Sequence, residues 1–307
     1  MRGVRGVAVL TAVLVLAGCS ATEVPDRGID RGIDLVVSPH PDDELEAWSL
    51  VDDEQYTVFL TMTHGEATVN CSPAEVARNT QTAWGEDEPD PVPQGPGTPS
   101  CAQARIGSWN AFLDAATGIT GLQSRVAEIA GHDAQLWWSD TQARVAVDGG
   151  DGQLTPEVVT RAVADVLALR GDALPDADVR QVVGAAYTND PPARGDDAYA
   201  LYRHPDHWAV RDALLALDEP ACVATWPTDP AATRHERVDE ATYEQFTALG
   251  EEVEPGNPES VRRTGSFQRI YGWLAFPRSY WTPTDLPVPD ADGQPLVMAQ
   301  EQTFTCN

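Results

Sequence analysis

The stretch Gly32-Ile33-Asp34-Leu35-Val36-Val37-Ser38-Pro39-His40-Pro41-Asp42-Asp43-Glu44 carries two signals in succession. From Ile33 to Ser38 the chain is short and mostly apolar, bounded by a glycine and a proline, which suits a buried strand of a parallel sheet. A prolyl turn follows at once and presents one imidazole among several carboxylates. In an open parallel sheet, ligands bind outside the carboxyl ends of the strands, where this turn lies.

Working outward, strands and helices alternate. Tyr56 to Met62 reads as a second strand. Ser72-Pro73-Ala74-Glu75 is a capping box with proline at the first helical position, opening a helix to about Trp84. Gly85 to Ser100 is acidic and proline-rich, hence a loop. A helix from about Gln103 to Thr117 follows, then short strands at Gln135 to Ser139 and Ala143 to Val147, then a glycine-rich turn at Gly149 to Gly152. Thr155-Pro156 starts an amphipathic helix with Val159, Val163, Val166 and Leu167 inward. Val179 to Ala186 is a buried strand, His207 to Leu217 a helix and Ala221 to Trp226 a late strand. The expected class is α/β: a Rossmann-like open, mostly parallel sheet flanked by helices. Residues 33–226 form that domain, with an insertion over 70–100. Residues 227–307 form an irregular extension packed on it, whose aromatics, Phe267 to Trp281, cover the sheet edge or line a cleft.

The 307 residues are 42% hydrophobic and 22% charged, enough to bury a substantial core. Net charge is −28, and all 20 basic residues are arginine. Such a surface argues against nucleic acid, whose affinity rests on basic groups facing phosphates, and against attraction to anionic headgroups. The bias itself reads as genome composition and solubility and names no substrate.

Met1-Arg2-Gly3-Val4-Arg5 precedes a largely apolar run from Val7 to Ala17 that ends in Leu16-Ala17-Gly18-Cys19. A basic start, a short apolar run and small residues at the cut make a secretory signal over residues 1–18, too short for a span. The ending resembles a bacterial lipobox. It implies a lipid anchor at Cys19, a tether over residues 19–32 and an extracytoplasmic, membrane-attached protein; an ordinary signal peptide is the competing reading. Four further cysteines allow three pairings. Cys71–Cys101, closing the insertion, and Cys222–Cys306, pinning the C-terminus, are favoured, against unpaired buried thiols.

A second segment carries chemistry: Tyr202-Arg203-His204-Pro205-Asp206-His207, directly before a helix. His207 begins the stripe His207, Val210, Leu214, Leu217 and so shares the buried face of that helix. Two imidazoles and a carboxylate suit zinc or ferrous iron and leave positions for water and substrate. A further carboxylate can take the proton of that water.

These segments resemble the LmbE/PIG-L family of zinc-dependent N-acetylglucosaminyl deacetylases. Its two signatures, His-Pro-Asp-Asp-Glu after the first strand and a later His-Pro-Asp-His, both stand here in full. Weaker similarity covers Thr61-Met62-Thr63-His64-Gly65-Glu66 and Arg105-Ile106-Gly107, so that the likeness spans roughly Asp34 to Leu217. The resemblance implies that His40, Asp43 and His207 bind the metal and that Asp42 is the general base. His204 would stabilise the oxyanion or protonate the leaving amine, its charge favoured by Asp206, which orients it. Arg105 and Tyr202 would touch the substrate, an amino sugar or glycoconjugate. Zn2+ is the implied cofactor, with Fe2+ as the other candidate. Glu44 anchors the turn, and His64 is a candidate for the cleft mouth. Ser108 stands where relatives commonly carry glutamate, and the insertion from Asn70 to Ser100 is long; both put the family's substrates in doubt. The competing functions are hydrolysis of another N-acylated glycoside and a glycan-binding lipoprotein on a non-catalytic scaffold.

Overall fold

Ile33–Ser38 forms β1, buried at every position. It lies between two parallel neighbours, β2 (Tyr56–Thr61) and β6 (Val179–Thr188). Outside these, β5 (Gln142–Val147) pairs parallel with β2, and β7 (Ala221–Thr225) pairs parallel with β6. The computed structural model describes residues 31–68, 71–74, 76, 91–188, 204–225, 232–242, 251–253, 261–263 and 301–307. Arg31–Asn307 forms one compact unit.

Antiparallel strands extend both flanks, so the sheet is mixed instead of mostly parallel. On one side the hairpin β3 (Gln123–Ile129) and β4 (His132–Trp138) adds to β5. On the other, β11 (Glu301–Cys306) pairs with β7, and β8 (Arg234–Arg237) pairs with β11. The nine-stranded order is β3-β4-β5-β2-β1-β6-β7-β11-β8, and β9 (Glu251–Val253) with β10 (Val261–Arg263) forms a separate ribbon. The irregular extension therefore needs correction: residues from it are strands of the main sheet. The physical reason lies in the edge that β7 would otherwise expose, a row of unpaired backbone groups that β11 satisfies. Phe304 on β11 is fully buried against that side of the core.

Helices cover both faces. A 3-10 helix (Asp43–Leu50) and α1 (Pro99–Thr117) pack on one face, around Val36, Phe59, Ala146 and Val183. On the other face, α2 (Pro156–Leu167) and α3 (Pro205–Leu214) pack over Leu35, Val37, Val58, Leu60 and Val145. Thr155 caps Val158 N–H, Pro156 opens α2, and Val159, Val163, Val166 and Leu167 are buried as the stripe requires. Each such Val or Leu contributes roughly 1.5–3 kcal/mol on burial, so these faces, rather than helix propensity, hold the layers together.

Both favoured disulfides are present: Cys71–Cys101 with Cα atoms 5.7 Å apart, and Cys222–Cys306 at 4.1 Å. Two such bonds point to maturation in an oxidising, extracytoplasmic compartment. Among the described residues no helix is long and apolar enough to cross a membrane. Residues 1–18, the tether through Asp30, Tyr202 and the aromatics Phe267 to Trp281 lie outside the described residues. So does most of the helix expected from Ser72, of which the bond from Val76 N–H to Ser72 O (2.9 Å) is described.

Candidate metal centre

The carboxyl ends of β1, β2, β5 and β6 share one edge of the sheet, and every chemical group of interest stands there. The turn after β1 is tied to the end of β2: Met62 N–H donates to Ser38 O (2.8 Å) and Thr63 N–H to Pro39 O (3.0 Å). Within the turn, Asp42 has φ 106°, a left-handed conformation that a non-glycine residue rarely adopts. Two contacts hold it. Its own N–H donates to Glu44 Oε2 at 3.0 Å, and Arg105 Nη2 donates to Pro41 O at 2.8 Å. Glu44 thus anchors the turn as expected. Strain of this kind persists where surrounding structure over-determines it, typically at functional sites.

Arg105 is 4% exposed, and its Nη2 lies 3.7 Å from Asp42 Oδ1. Its guanidinium lies over Gly65 (φ 61°), where an added Cβ would stand 2.8 Å from Arg105 Cζ. The glycine of the Thr61–Glu66 turn therefore makes room for the arginine. What the structure shows for Arg105 is support of the Asp42 turn.

Three imidazoles converge on this turn, with ring centroids 4.5 Å (His40–His204), 5.4 Å (His40–His207) and 5.8 Å (His204–His207) apart. His207, fully buried on α3, directs Nδ1 at Tyr187 O, 3.1 Å away. A carbonyl only accepts, so Nδ1 carries a proton, and Nε2 is the atom turned toward Asp43 Oδ2, 3.4 Å away. His40 repeats the arrangement. Its Nε2 faces Asp206 Oδ2 at 3.2 Å, leaving Nδ1 to face the same Asp43 oxygen at 3.1 Å. Lone pairs of two imidazoles and a carboxylate pointing at one another repel unless a cation or proton lies between them. Ligands about 2.0–2.2 Å from zinc stand roughly 3.3–3.5 Å apart at tetrahedral corners; His207 Nε2 stands at that distance from Asp43 Oδ2 (3.4 Å) and His40 Nδ1 slightly inside it (3.1 Å). The donor set His40, Asp43, His207 therefore fits a divalent ion.

Asp206 completes this centre from behind. It is fully buried and accepts Gly152 N–H (2.7 Å) and Leu154 N–H (3.0 Å) in addition to its contact with His40. A carboxylate behind a metal-binding histidine fixes the ring's tautomer and raises its basicity. His204 Nδ1 is farther from Asp206, at 3.8 Å. Asp206 thus orients His40 more directly than it does His204, the partner expected from the resemblance.

Asp151 was not among the expected site residues, yet it belongs to this cluster. Its Oδ1 stands 3.5 Å from both His40 Nε2 and His204 Nε2, and its Oδ2 accepts Ala67 N–H at 2.8 Å. His40, Asp151, His204 and Asp206 form a second group of potential ligands that shares His40 with the first. Gly149, at the base of the same turn, approaches Met62 O so closely that a Cβ there would stand 2.5 Å away. The glycines bring the β5 turn against β2 and so deliver Asp151.

Electrostatics divide the cluster. Burial drives the Asp42 carboxyl up to about 8, with Arg105 opposing and Asp43 and Glu44 reinforcing. Burial would raise Asp43 too, but His207 and His40 outweigh it and hold Asp43 far below the carboxylate range. Burial opposes charge on His40, yet its bonds to Asp151, Asp206 and Asp43 raise it well above the ordinary imidazole value. Metal must therefore displace a proton from His40. Burial also works against ionised Asp151, but the His40 hydrogen bond and Ala67 N–H bring it down to about 2. His204 goes the other way: burial lowers it first, then the charges of His40 and His207, against Asp206 and Asp151. A protonated His204 favoured by Asp206 was the expectation; its surroundings favour the neutral ring.

Beside Arg105 opens a cavity of about 570 Å³, lined by His64 and Glu66, which flank Gly65, and by Asn110, Gln135, Trp137 and Asp148. His64 thus does reach a cleft wall. Glu66 Oε2 is buried there without a partner among the described residues. Ser108 is buried on α1. Comparison with known proteins finds no matching family model, no matching curated protein and no matching solved structure. The chain is an α/β protein with a buried His/Asp cluster able to hold a metal ion.

Proposed function

We propose that this chain is a metal-dependent hydrolase that removes an N-acyl group from an amino sugar or its glycoconjugate, as in the LmbE/PIG-L deacetylases it resembles. The single observation that carries the reading is the convergence of His40 Nδ1 and His207 Nε2 on Asp43 Oδ2, at 3.1 and 3.4 Å, beside the strained Asp42. The parallel strands support a Rossmann-like description, since their order β5-β2-β1-β6-β7 reverses direction at β1, where the ligands stand.

His40, Asp43 and His207 would hold Zn2+ or Fe2+, and such an ion lowers the pKa of water to about 7 and polarises a carbonyl. Asp42 would take the proton of the attacking water. Its burial makes it a strong proton acceptor once the charge of a nearby cation keeps it ionised. His204 would donate an N–H to the developing oxyanion and, after receiving the water proton from Asp42, pass it to the leaving amine. Asp206 and Asp151 keep His40 and His204 in place. The neighbouring cavity supplies amides, carboxylates and Trp137, groups suited to a sugar ring. The lipobox-like Leu16-Ala17-Gly18-Cys19 supports attachment to the outer face of a bacterial membrane through a lipid at Cys19.

Release of acetate and free amine from N-acetylglucosamine derivatives tests the proposal. Activity should disappear with chelator and return with Zn2+ or Fe2+. Hydrolysis that persists in a metal-free sample, or a metal-loaded protein that releases no amine from any N-acylated glycoside, would contradict it.

A further inference from the structure

Strand β6 leaves the regular ladder just before it reaches the metal centre. Its pairing with β1 ends at Gly184, and its register with β7 shifts between Gly184 and Thr188. Ala185, Ala186 and Tyr187 therefore stand opposite the single residue Ala224 of β7. A bulge of this kind takes backbone groups out of the ladder and re-aims the chain, and bulges recur next to active sites for that reason.

Tyr187 closes the irregular stretch, 2% exposed, and side chains bind its backbone on both sides. Tyr187 O accepts His207 Nδ1–H at 3.1 Å, and Tyr187 N–H donates to Glu46 Oε2 at 2.6 Å. Glu46 is 3% exposed and lies in the 3-10 helix between Leu45 and Ala47, both fully buried. A carboxyl group in such a place is costly unless it is hydrogen-bonded, and the bond it makes is to the residue that holds His207. The helix is itself clamped: Gln302 Nε2 donates to Leu45 O at 2.7 Å, and Gln302 Oε1 accepts Ser49 N–H at 2.9 Å. Glu46 thus reaches β6 from a fixed support.

A buried N–H deprived of its acceptor must turn toward another, and turning Tyr187 moves its carbonyl as well. We propose that Glu46 is a positioning residue of the metal centre. By binding Tyr187 N–H it holds the β6 bulge so that Tyr187 O keeps His207 Nδ1 and directs Nε2 at Asp43 Oδ2. The competing explanation is electrostatic, a negative charge placed near a cation. The two differ in what they require of residue 46: an acceptor oxygen at the right reach, or a charge.

The ring of His207 reports on this without any metal, by proton NMR of the metal-free full chain, its Nδ1–H signal being identified by absence from His207→Ala. Wild type should show a slowly exchanging signal. Glu46→Leu removes the acceptor, and Glu46→Asp keeps the charge but shortens the reach. Both should shift the signal or lose it to exchange, and both should weaken Zn2+ binding about tenfold in chelator competition, the low end for an outer partner. Glu46→Gln keeps an acceptor oxygen at the same reach and should retain both properties. Circular dichroism and thermal unfolding with chelator establish which variants fold; if Glu46→Leu does not, Glu46→Asp decides. An unchanged signal in folded Glu46→Asp, or losses in Glu46→Gln equal to those in Glu46→Leu, would overturn the proposal. Only the zinc measurement rests on the metal reading of His40, Asp43 and His207. Wild type that binds no divalent ion would refute that reading and leave the Nδ1–H signal to decide the role of Glu46.

Discussion

His204 and His207 belong to the same short motif, yet the fold gives them opposite surroundings. His207 sits within α3, with no exposed side-chain surface, Nδ1 held by Tyr187 O and Nε2 directed at Asp43. His204 precedes the helix as its N-cap, its side chain 29% exposed, and faces Asp151 and, at greater distance, Asp206. Pro205, the first helical residue, lies between them and leaves His204 in extended backbone outside the helix. A buried ring with a fixed tautomer is built to bind a cation. A half-exposed ring with two carboxylates nearby is built to exchange a proton or a hydrogen bond.

The largest effect expected is at Asp43, the carboxylate on which the His40 and His207 rings converge. Asp43→Ala should lose metal by more than about 100-fold in affinity and reduce turnover to background, since a ligand and not an outer partner is removed. Elemental analysis of a dialysed sample checks the first part; full metal occupancy would show that the ligand set is wrong. Asp42→Asn should keep the metal while kcat falls by roughly 100-fold or more. Metal loss in that variant would make Asp42 a ligand. Asp206→Asn comes next: removing the carboxylate behind His40 should cost roughly 10- to 100-fold in metal affinity. If kcat falls while affinity stays unchanged, Asp206 serves His204 and the contrast drawn here is wrong on that point.

A smaller, pH-dependent effect belongs to the metal-free protein. Asp42, Glu46 and His40 all have folded pKa values above their usual ones, through burial for the two acids and through carboxylate contacts that overcome burial for His40. A raised group contributes stability that is full below its unfolded pKa and is lost as pH rises toward the folded value. The two acids begin to lose theirs above about pH 4, and Asp42 has lost it by about 8. With chelator present, denaturant unfolding should therefore show lower stability at pH 8.5 than at 5.5. Asp42→Asn should shrink the difference, and metal should reverse it because deprotonated ligands bind better at high pH. Stability equal at the two pH values would count against the buried cluster as described.

Much of this arrangement was legible in the chain because it is local. β1 and the turn after it are contiguous, and the stripe beginning at His207 follows from helix periodicity. The two disulfide pairings were also anticipated. Asp151 was harder: it reads as one residue of a glycine-rich turn, and only the shared edge of parallel strands brings it to His40. That edge is the signal that could have nominated it. β3 was missed because most of its side chains are exposed, which leaves no buried face to pattern. β8 and β11 were missed because their pairing spans a long separation and no local signal marks it. Burial, followed by two other imidazoles, one from β1's turn, lowers His204, and these outweigh the raising effect of Asp206 that its adjacency in sequence suggests.

The contrast between the two histidines is tested most directly by measuring metal affinity and kcat together in His204→Ala and His207→Ala. His207→Ala should lose both. His204→Ala should hold metal at near wild-type affinity while kcat falls roughly 100- to 1000-fold, the usual cost of one oxyanion donor. Equal metal loss in the two variants would make both rings ligands and contradict the account.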